Sequence, residues 1–302
     1  MPQREGLTRY AWLSIVTALV IIVLKVAAYW LTGSIGFLSD ALESSANIIA
    51  AIITLIALTV AARPPDREHA YGHSKAEYLS SAAEGSLIIL AALFIIISAI
   101  QRLRNPEPLE QVGIGVAVSA VAAAANFAVA RILMRAGQRH RSTALEADAH
   151  HLLTDVWTSI GVIAAVALVG LTGWLWLDPV IGLVVAVQII WTGYKLVRGA
   201  INGILDVALP PGEVASVEAI LRPYEAQGVT FHALRTRQAG AQRFVSFHVQ
   251  VPGTWSVQQG HELLEDIERQ IRHALEPVTV FTHIEPTEDP SSFQDETLYR
   301  AD

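Results

Sequence analysis

Residues 36–62 read GFLSDALESSANIIAAIITLIALTVAA, and this stretch decides the fold. A helix needs about 20 mostly apolar residues to cross the roughly 30 Å hydrocarbon core of a bilayer. The stretch is long enough, and its charges, Asp40 and Glu43, sit near one end. Five other segments pass the same test: 10–32, 78–100, 114–134, 149–169 and 177–197. Segment 10–32 is too long for a secretory signal and has no small-residue cleavage pattern. The expectation is an α-helical membrane protein with six transmembrane helices in residues 1–205.

Composition agrees. The 302 residues are 52% apolar and 16% charged, with a mean hydropathy of +0.42, whereas soluble domains carry about 25% charged residues. Cysteine is absent, which excludes a disulfide scaffold and leaves His, Asp, Glu and neutral oxygens as the metal ligands. Residues 1–205 hold 14 Lys/Arg against 13 Asp/Glu, and 206–302 hold 7 against 15. The acidic C-terminal part is a poor nucleic-acid binder and a suitable collector of cations. Basic residues cluster at 4–9, 63–75, 131–141 and 195–198, on alternate links, so both termini are expected on the cytoplasmic side of the cell membrane.

After Val207 the pattern becomes that of a soluble domain. Residues 212–225 and 257–275 have helical periodicity, while 229–238, 243–251 and 278–284 read as strands. The order α-β-β-α-β predicts a cytoplasmic α+β, ferredoxin-like domain over 206–290. The polar residues from Pro286, and 291–302 in particular, are expected to form a loose, flexible tail.

Ionisable groups inside membrane spans are costly and mark functional sites. Asp40, Glu43, Ser44 and Asn47 follow i, i+3, i+4, i+7 spacing and share one helical stripe. His151 and Asp155, spaced i, i+4, point in one direction from the fifth span. Two such helices can present carboxylate oxygens and an imidazole nitrogen to one point, a ligand set for a divalent transition metal. Lys25 and Glu84 also fall within spans and are assigned to packing, since Lys snorkels and neither has a helical-turn partner. Outside the spans, His69 and His73 at i, i+4 with nearby Asp66 form a zinc site if their loop carries a helical turn; otherwise they are solvated.

Three stretches carry a family resemblance: Ser39-Asp40-Ala41-Leu42-Glu43-Ser44, the loop from Arg63 to Glu77 with His69, His73, Lys75 and Glu77, and Ala147-Asp148-Ala149-His150-His151-Leu152-Leu153-Thr154-Asp155. They resemble the cation diffusion facilitator family over nearly the whole chain. That likeness implies a homodimeric, non-enzymatic, proton-coupled antiporter that exports divalent metal cations from the cytoplasm. It implies a transport site at Asp40, His151 and Asp155, a second position at Asp66, His69 and His73, and a charge interlock between Lys75 and Asp206. It further implies a cytoplasmic binuclear site, here His232, His248, His261, His283 and Glu285. Strand alternation independently puts His283 and Glu285 on one face.

The chain departs from the family at one position. Zinc-selective members show Asp-x-x-x-Asp in span two, whereas Ser44 occupies the second position here. Ser44, or Asn47 one turn on, is the candidate fourth ligand. A neutral oxygen hardens the site towards Mn²⁺ or Fe²⁺, and His151 pulls it back towards zinc, cobalt or iron. Zinc is therefore favoured, with iron, manganese, cobalt and cadmium as alternatives. Two competing classes are a membrane-anchored metal sensor that transports nothing and an organic-cation transporter that uses Asp40 and Asp155 as counter-charges.

Overall fold

The computed structural model describes residues 6–32, 35–105 and 112–293, and the side chains of 31–47 are among those outside the described part. The chain divides into two compact units, Met1–Asn202 and Gly203–Asp302.

Among the described residues, six long helices form the first unit, the last of them running just past its boundary: α1 (Thr8–Thr32), α2 (Ile35–Ala61), α3 (Ala76–Arg104), α4 (Val112–His140), α5 (Thr143–Thr172) and α6 (Leu177–Ile204). Among the described residues, Thr8–Ala27, Ala76–Arg104, Ala117–His140 and Pro179–Ile204 are each long and apolar enough to cross a membrane. Their outward surfaces carry large apolar side chains such as Val23, Phe94, Val184 and Val187, each more than 60% exposed. On a water-soluble protein so much exposed apolar surface would drive association; against lipid tails it is the required surface.

Inside the bundle, close packing depends on small residues. One core joins α1, α2, α4 and α5 through Ala11, Leu58, Ala130, Leu133, Ala136, Ala144, Leu145 and Ala149, among others. A second joins α3 to α6 through Ile88, Ala92, Ala186 and Ile189. Lipid tails are as apolar as leucine, so membrane helices associate by close van der Waals approach, which small residues permit. Gly85 and Gly193 make that approach between α3 and α6. A Cβ on Gly193 would stand 2.8 Å from the Gly85 carbonyl oxygen and 2.7 Å from Ile89.

The helix boundaries differ from the apolar segments. Arg131, Arg135 and Arg139 lie on the last turns of α4 rather than in a link. Helix α5 begins six residues before its apolar stretch, where Ser142 caps it by accepting the Leu145 N–H. The α4–α5 connection is therefore only Arg141 and Ser142, with Arg141 at φ 53°. Hydropathy sees only the lipid-facing length of a helix, and these ends are polar.

The second unit runs α7 (Pro211–Glu225), β1 (Thr230–Ala239), β2 (Gln242–Val251), α8 (Val257–Leu275) and β3 (Val278–Pro286). The sheet order is β1-β2-β3, with β1 antiparallel and β3 parallel to the central β2. The parallel pair requires a crossover, which α8 supplies. Val245, Phe247, Val249 and Val251 on one face of β2 pack against Val217 and Leu221 of α7 and Ile267, Ile271 and Leu275 of α8. The even-numbered face of β2 carries Gln242, Ser246, His248 and Gln250, with Phe244 the one apolar residue among them. Ser256 begins α8 with a reciprocal capping box to Gln259.

The expected looseness after Pro286 is corrected as far as Phe293. Thr287 N–H donates to the Val251 carbonyl at 2.9 Å, and Gln250 Nε2 donates to the Ser292 carbonyl at 3.1 Å. A 3₁₀ turn, Pro290–Phe293, follows with Ser292 buried. Residues 294–302 lie outside the described residues.

Candidate metal centres

In the bundle, His151 lies one turn before Asp155 on the buried side of α5, with 6% of its surface exposed. Asn126 of α4, itself 4% exposed, donates from Nδ2 to Asp155 Oδ2 at 3.3 Å. That amide fixes the direction of the carboxylate. The sequence singled out neither Asn126 nor its role, because a lone Asn in an alanine-rich span gives no sign of a partner 29 residues away. The backbone of Asp40, Glu43, Ser44 and Asn47 belongs to α2, while their side chains lie outside the described residues.

The loop between α2 and α3 gathers its three groups without a helical turn. Asp66 Oδ1 accepts the backbone N–H groups of Glu68 at 2.9 Å and His69 at 2.7 Å, an Asx turn that folds the loop back on itself. Gly72, at φ 83°, makes the return while its N–H donates to the His69 carbonyl at 2.8 Å. His69 Nδ1 and His73 Nε2 then each stand 3.4 Å from an Asp66 oxygen, with the imidazole rings 4.5 Å apart. The His69 N–H holds the Asp66 carboxyl below the usual range, helped by the Glu68 N–H and the neighbouring imidazoles. The condition set by the sequence, a helical turn, is thus replaced by a side-chain-to-backbone turn.

On the sheet, register builds the third cluster. His232 of β1 pairs with His248 of β2, which pairs with His283 of β3, so the three imidazoles form one row across the strands. A bulge after His232, with Ala233 at φ 52°, lets Phe231 and Leu234 both pack in the core while His232 stays on the polar face. Glu285, 7% exposed in its side chain, reaches under the row. Its oxygens stand 3.4 Å from His232 Nε2, 3.1 Å from His248 Nδ1 and 3.6 Å from His283 Nε2. One ligand atom each from His232, His248 and Glu285 lies within 4.8 Å of the other two. Two imidazoles and a carboxylate that close suit a tetrahedral divalent ion with one position open. His283 is 65% exposed in its side chain, and His261 faces solvent on α8, outside the cluster as it stands in this chain.

One other expectation is revised. Glu84, assigned to packing for want of a helical-turn partner, is fully buried and accepts a bond from Ser80 one turn away at 3.1 Å and another from Thr54 of α2. Asp206 forms a 3.1 Å ion pair with Arg237 inside the second unit, while Lys75 occupies the N-cap position of α3 in the first.

Long apolar helices that carry a buried His and a half-buried Asp one turn apart, followed by an acidic α+β domain that clusters imidazoles around a carboxylate, define a membrane protein that handles metal cations. The chain belongs to the cation efflux family, the cation diffusion facilitators. The family's transmembrane domain matches residues 11–205 and its cytoplasmic domain matches residues 209–287. The uncharacterized transporter sll1263 of Synechocystis sp. is 53% identical over 285 residues, covering 94% of this chain and 92% of its own length. The cation-efflux pump FieF of Shewanella oneidensis is 32% identical over 275 residues, 91% of this chain and 92% of its own. A solved structure, the Zn form of CzrB, is 32% identical over 27% of this chain and 93% of its own, with a TM-score of 0.26. The protein is accordingly a multi-pass metal-cation efflux transporter and not an enzyme.

Proposed function

We propose that the protein is a homodimeric antiporter that exports a divalent transition-metal cation from the cytoplasm in exchange for protons, with zinc the favoured substrate. The observation that carries this reading is the His151–Asp155 pair: a buried imidazole and, one turn on along the same membrane helix, a half-buried carboxylate that Asn126 orients. Asp40 of α2 completes the set, with Ser44 or Asn47 as fourth ligand. Carboxylate and imidazole bind metal only when deprotonated, so cation and proton compete for the same atoms. Imidazole titrates near neutral pH, which makes His151 the natural proton carrier. Alternating access then couples the two flows: metal displaces protons on the cytoplasmic side, and protons displace metal on the other.

The loop and sheet clusters bind cations outside the membrane. Asp66, His69 and His73 form one site; His232, His248 and Glu285 form the other, which His283 and His261 of either protomer extend. Filling the sheet site tightens the dimer and raises the local metal concentration. Lys75 and Asp206 tie the membrane dimer to the cytoplasmic domain, and both termini are cytoplasmic.

Purified protein in liposomes under an imposed pH gradient tests the reading with Zn²⁺, Mn²⁺, Fe²⁺ and Cd²⁺ in turn. Zinc uptake that grows with the gradient is expected; metal flux indifferent to the gradient would remove the proton from the mechanism. If Ser44 tunes selectivity, Ser44→Asp shifts the profile further towards zinc, and an unchanged profile removes Ser44 from the ligand set.

A further inference from the structure

A second acidic site, which the mechanism above does not use, is buried in the bundle. Glu84 of α3 and Asp148 of α5 are 0% and 1% exposed. Glu84 Oε1 accepts from Ser80 Oγ and from Thr54 Oγ1 of α2, and Asp148 Oδ1 accepts from Ser14 Oγ of α1 at 3.1 Å. The three hydroxyls are themselves buried. The other oxygen of each carboxyl, Glu84 Oε2 and Asp148 Oδ2, is buried and accepts no hydrogen bond among the described residues. Each acid feels the negative charge of the other, and among the described residues no Lys, Arg or His forms an ion pair with either. Four helices therefore converge on two acids supplied with only neutral donors.

Two bare anions in such a place are strongly penalised. A serine or threonine hydroxyl offers one hydrogen bond and no charge, so something positive must complete the site. The position also matters. Asp148, His151 and Asp155 follow i, i+3, i+7 spacing on α5, so Asp148 shares the stripe of the transport pair and lies about 10 Å along the axis from Asp155. A divalent charge arriving at His151 and Asp155 acts on Asp148 and Glu84 through low-dielectric surroundings, where Coulomb interactions are weakly screened.

We infer that Glu84 and Asp148 form a proton-binding site, separate from the metal ligands, that gives up its proton as the cation is taken into the bundle. The inference rests on the antiport reading above and deepens it. In the step, a carboxylic O–H bond breaks, the carboxylate keeps the electron pair, and the proton passes to water on the side then open. When the cation leaves, a proton from the opposite phase restores the acid. The other charged or titratable residues on the helices packed here are Arg9, Tyr10, Lys25 and Tyr29 of α1, Asp40 and Glu43 of α2, Glu77, Tyr78, Arg102 and Arg104 of α3, Arg131, Arg135, Arg139 and His140 of α4, Glu146, His150, His151 and Asp155 of α5, and Asp178, Tyr194, Lys195 and Arg198 of α6.

The test uses the full-length protein in liposomes, with zinc flux and proton release followed together in wild type, Glu84→Gln and Asp148→Asn. Each isosteric variant should still carry zinc down its own gradient but release roughly one proton fewer per cation, and Glu84→Asp should restore the ratio. An unchanged proton-to-zinc ratio in both variants overturns the inference while leaving antiport intact. A wild type that releases no protons overturns antiport itself. Should neither variant fold, infrared difference spectra of the wild type decide the matter: zinc addition should bleach a protonated carboxylic C=O band, and no such bleach counts against the site.

Discussion

The membrane bundle and the cytoplasmic domain both hold His and acidic side chains for cations, but they build their sites in opposite ways. In the bundle the packing is made of Ala, Gly and Leu, and the polar groups are the exceptions: His151, Asn126, Glu84 and Asp148 are buried, and Asp155 is half-buried. In the cytoplasmic domain the core is Val, Ile, Leu and Phe between one sheet face and two helices, and the imidazoles stand on the other face. A site enclosed by four helices can change its access only if helices move. A site on an open sheet face can fill and empty with no such motion, which suits sensing or dimer adjustment better than transport.

The sharpest way to break this contrast is to remove one carboxylate from each region. Asp155→Ala should reduce zinc flux in liposomes to the level of protein-free vesicles, while Glu285→Ala should leave it within a few-fold of wild type. Equal losses would mean that the two sites work as one. Core truncation comes next. Phe247→Ala, at 1% exposure, should cost about 3–5 kcal/mol in the cytoplasmic domain, read as a lower midpoint in denaturant-induced unfolding of the full chain. Gly193→Val probes the bundle's reliance on close approach. The added side chain meets the Gly85 carbonyl and Ile89, so a loss of about 1–3 kcal/mol in thermal stability is expected; a neutral result would show that α3 and α6 separate freely.

The smallest effect concerns a surface network. Tyr224 Oη donates to Asp266 Oδ2 at 2.5 Å, and this bond, with help from Gln270 and Arg269, holds the Asp266 carboxyl below its ordinary value. A depressed carboxylate adds stability above its unfolded-state value, and the gain is lost as pH falls through the folded one. Tyr224→Phe should therefore raise the Asp266 midpoint towards the ordinary range, seen by carboxyl carbon NMR, with the stability difference vanishing at the acid end.

Much of this architecture was legible in the residues because membrane spans and strands announce themselves by apolar length and alternation. The helix ends were less legible. Arg131 to Arg139 and Glu146 to Asp148 continue α4 and α5 past the lipid-facing length, and hydropathy is blind to polar helical turns. Of the clusters, the His151–Asp155 pair and the His283–Glu285 alternation followed from periodicity alone. The row through His232 and His248 required a register and a bulge that only strand pairing reveals. Glu84 gives no such sign because its decisive partner, Thr54, belongs to another helix, and Asn126 gives none for the same reason. His261 reads as one of a set by residue type, yet α8 turns its apolar face to the sheet and leaves His261 in solvent.

Transport through the bundle requires that the cation sit beside His151 and Asp155. Crystals of the full-length protein grown with zinc, with data collected at the zinc absorption edge, measure this directly. The expected result is an anomalous peak between His151 and Asp155, in addition to any at Asp66, His69 and His73 or at His232, His248 and Glu285. Peaks at the loop and sheet alone, with none beside α5 and with Asp155→Ala crystals giving the same map, would contradict it.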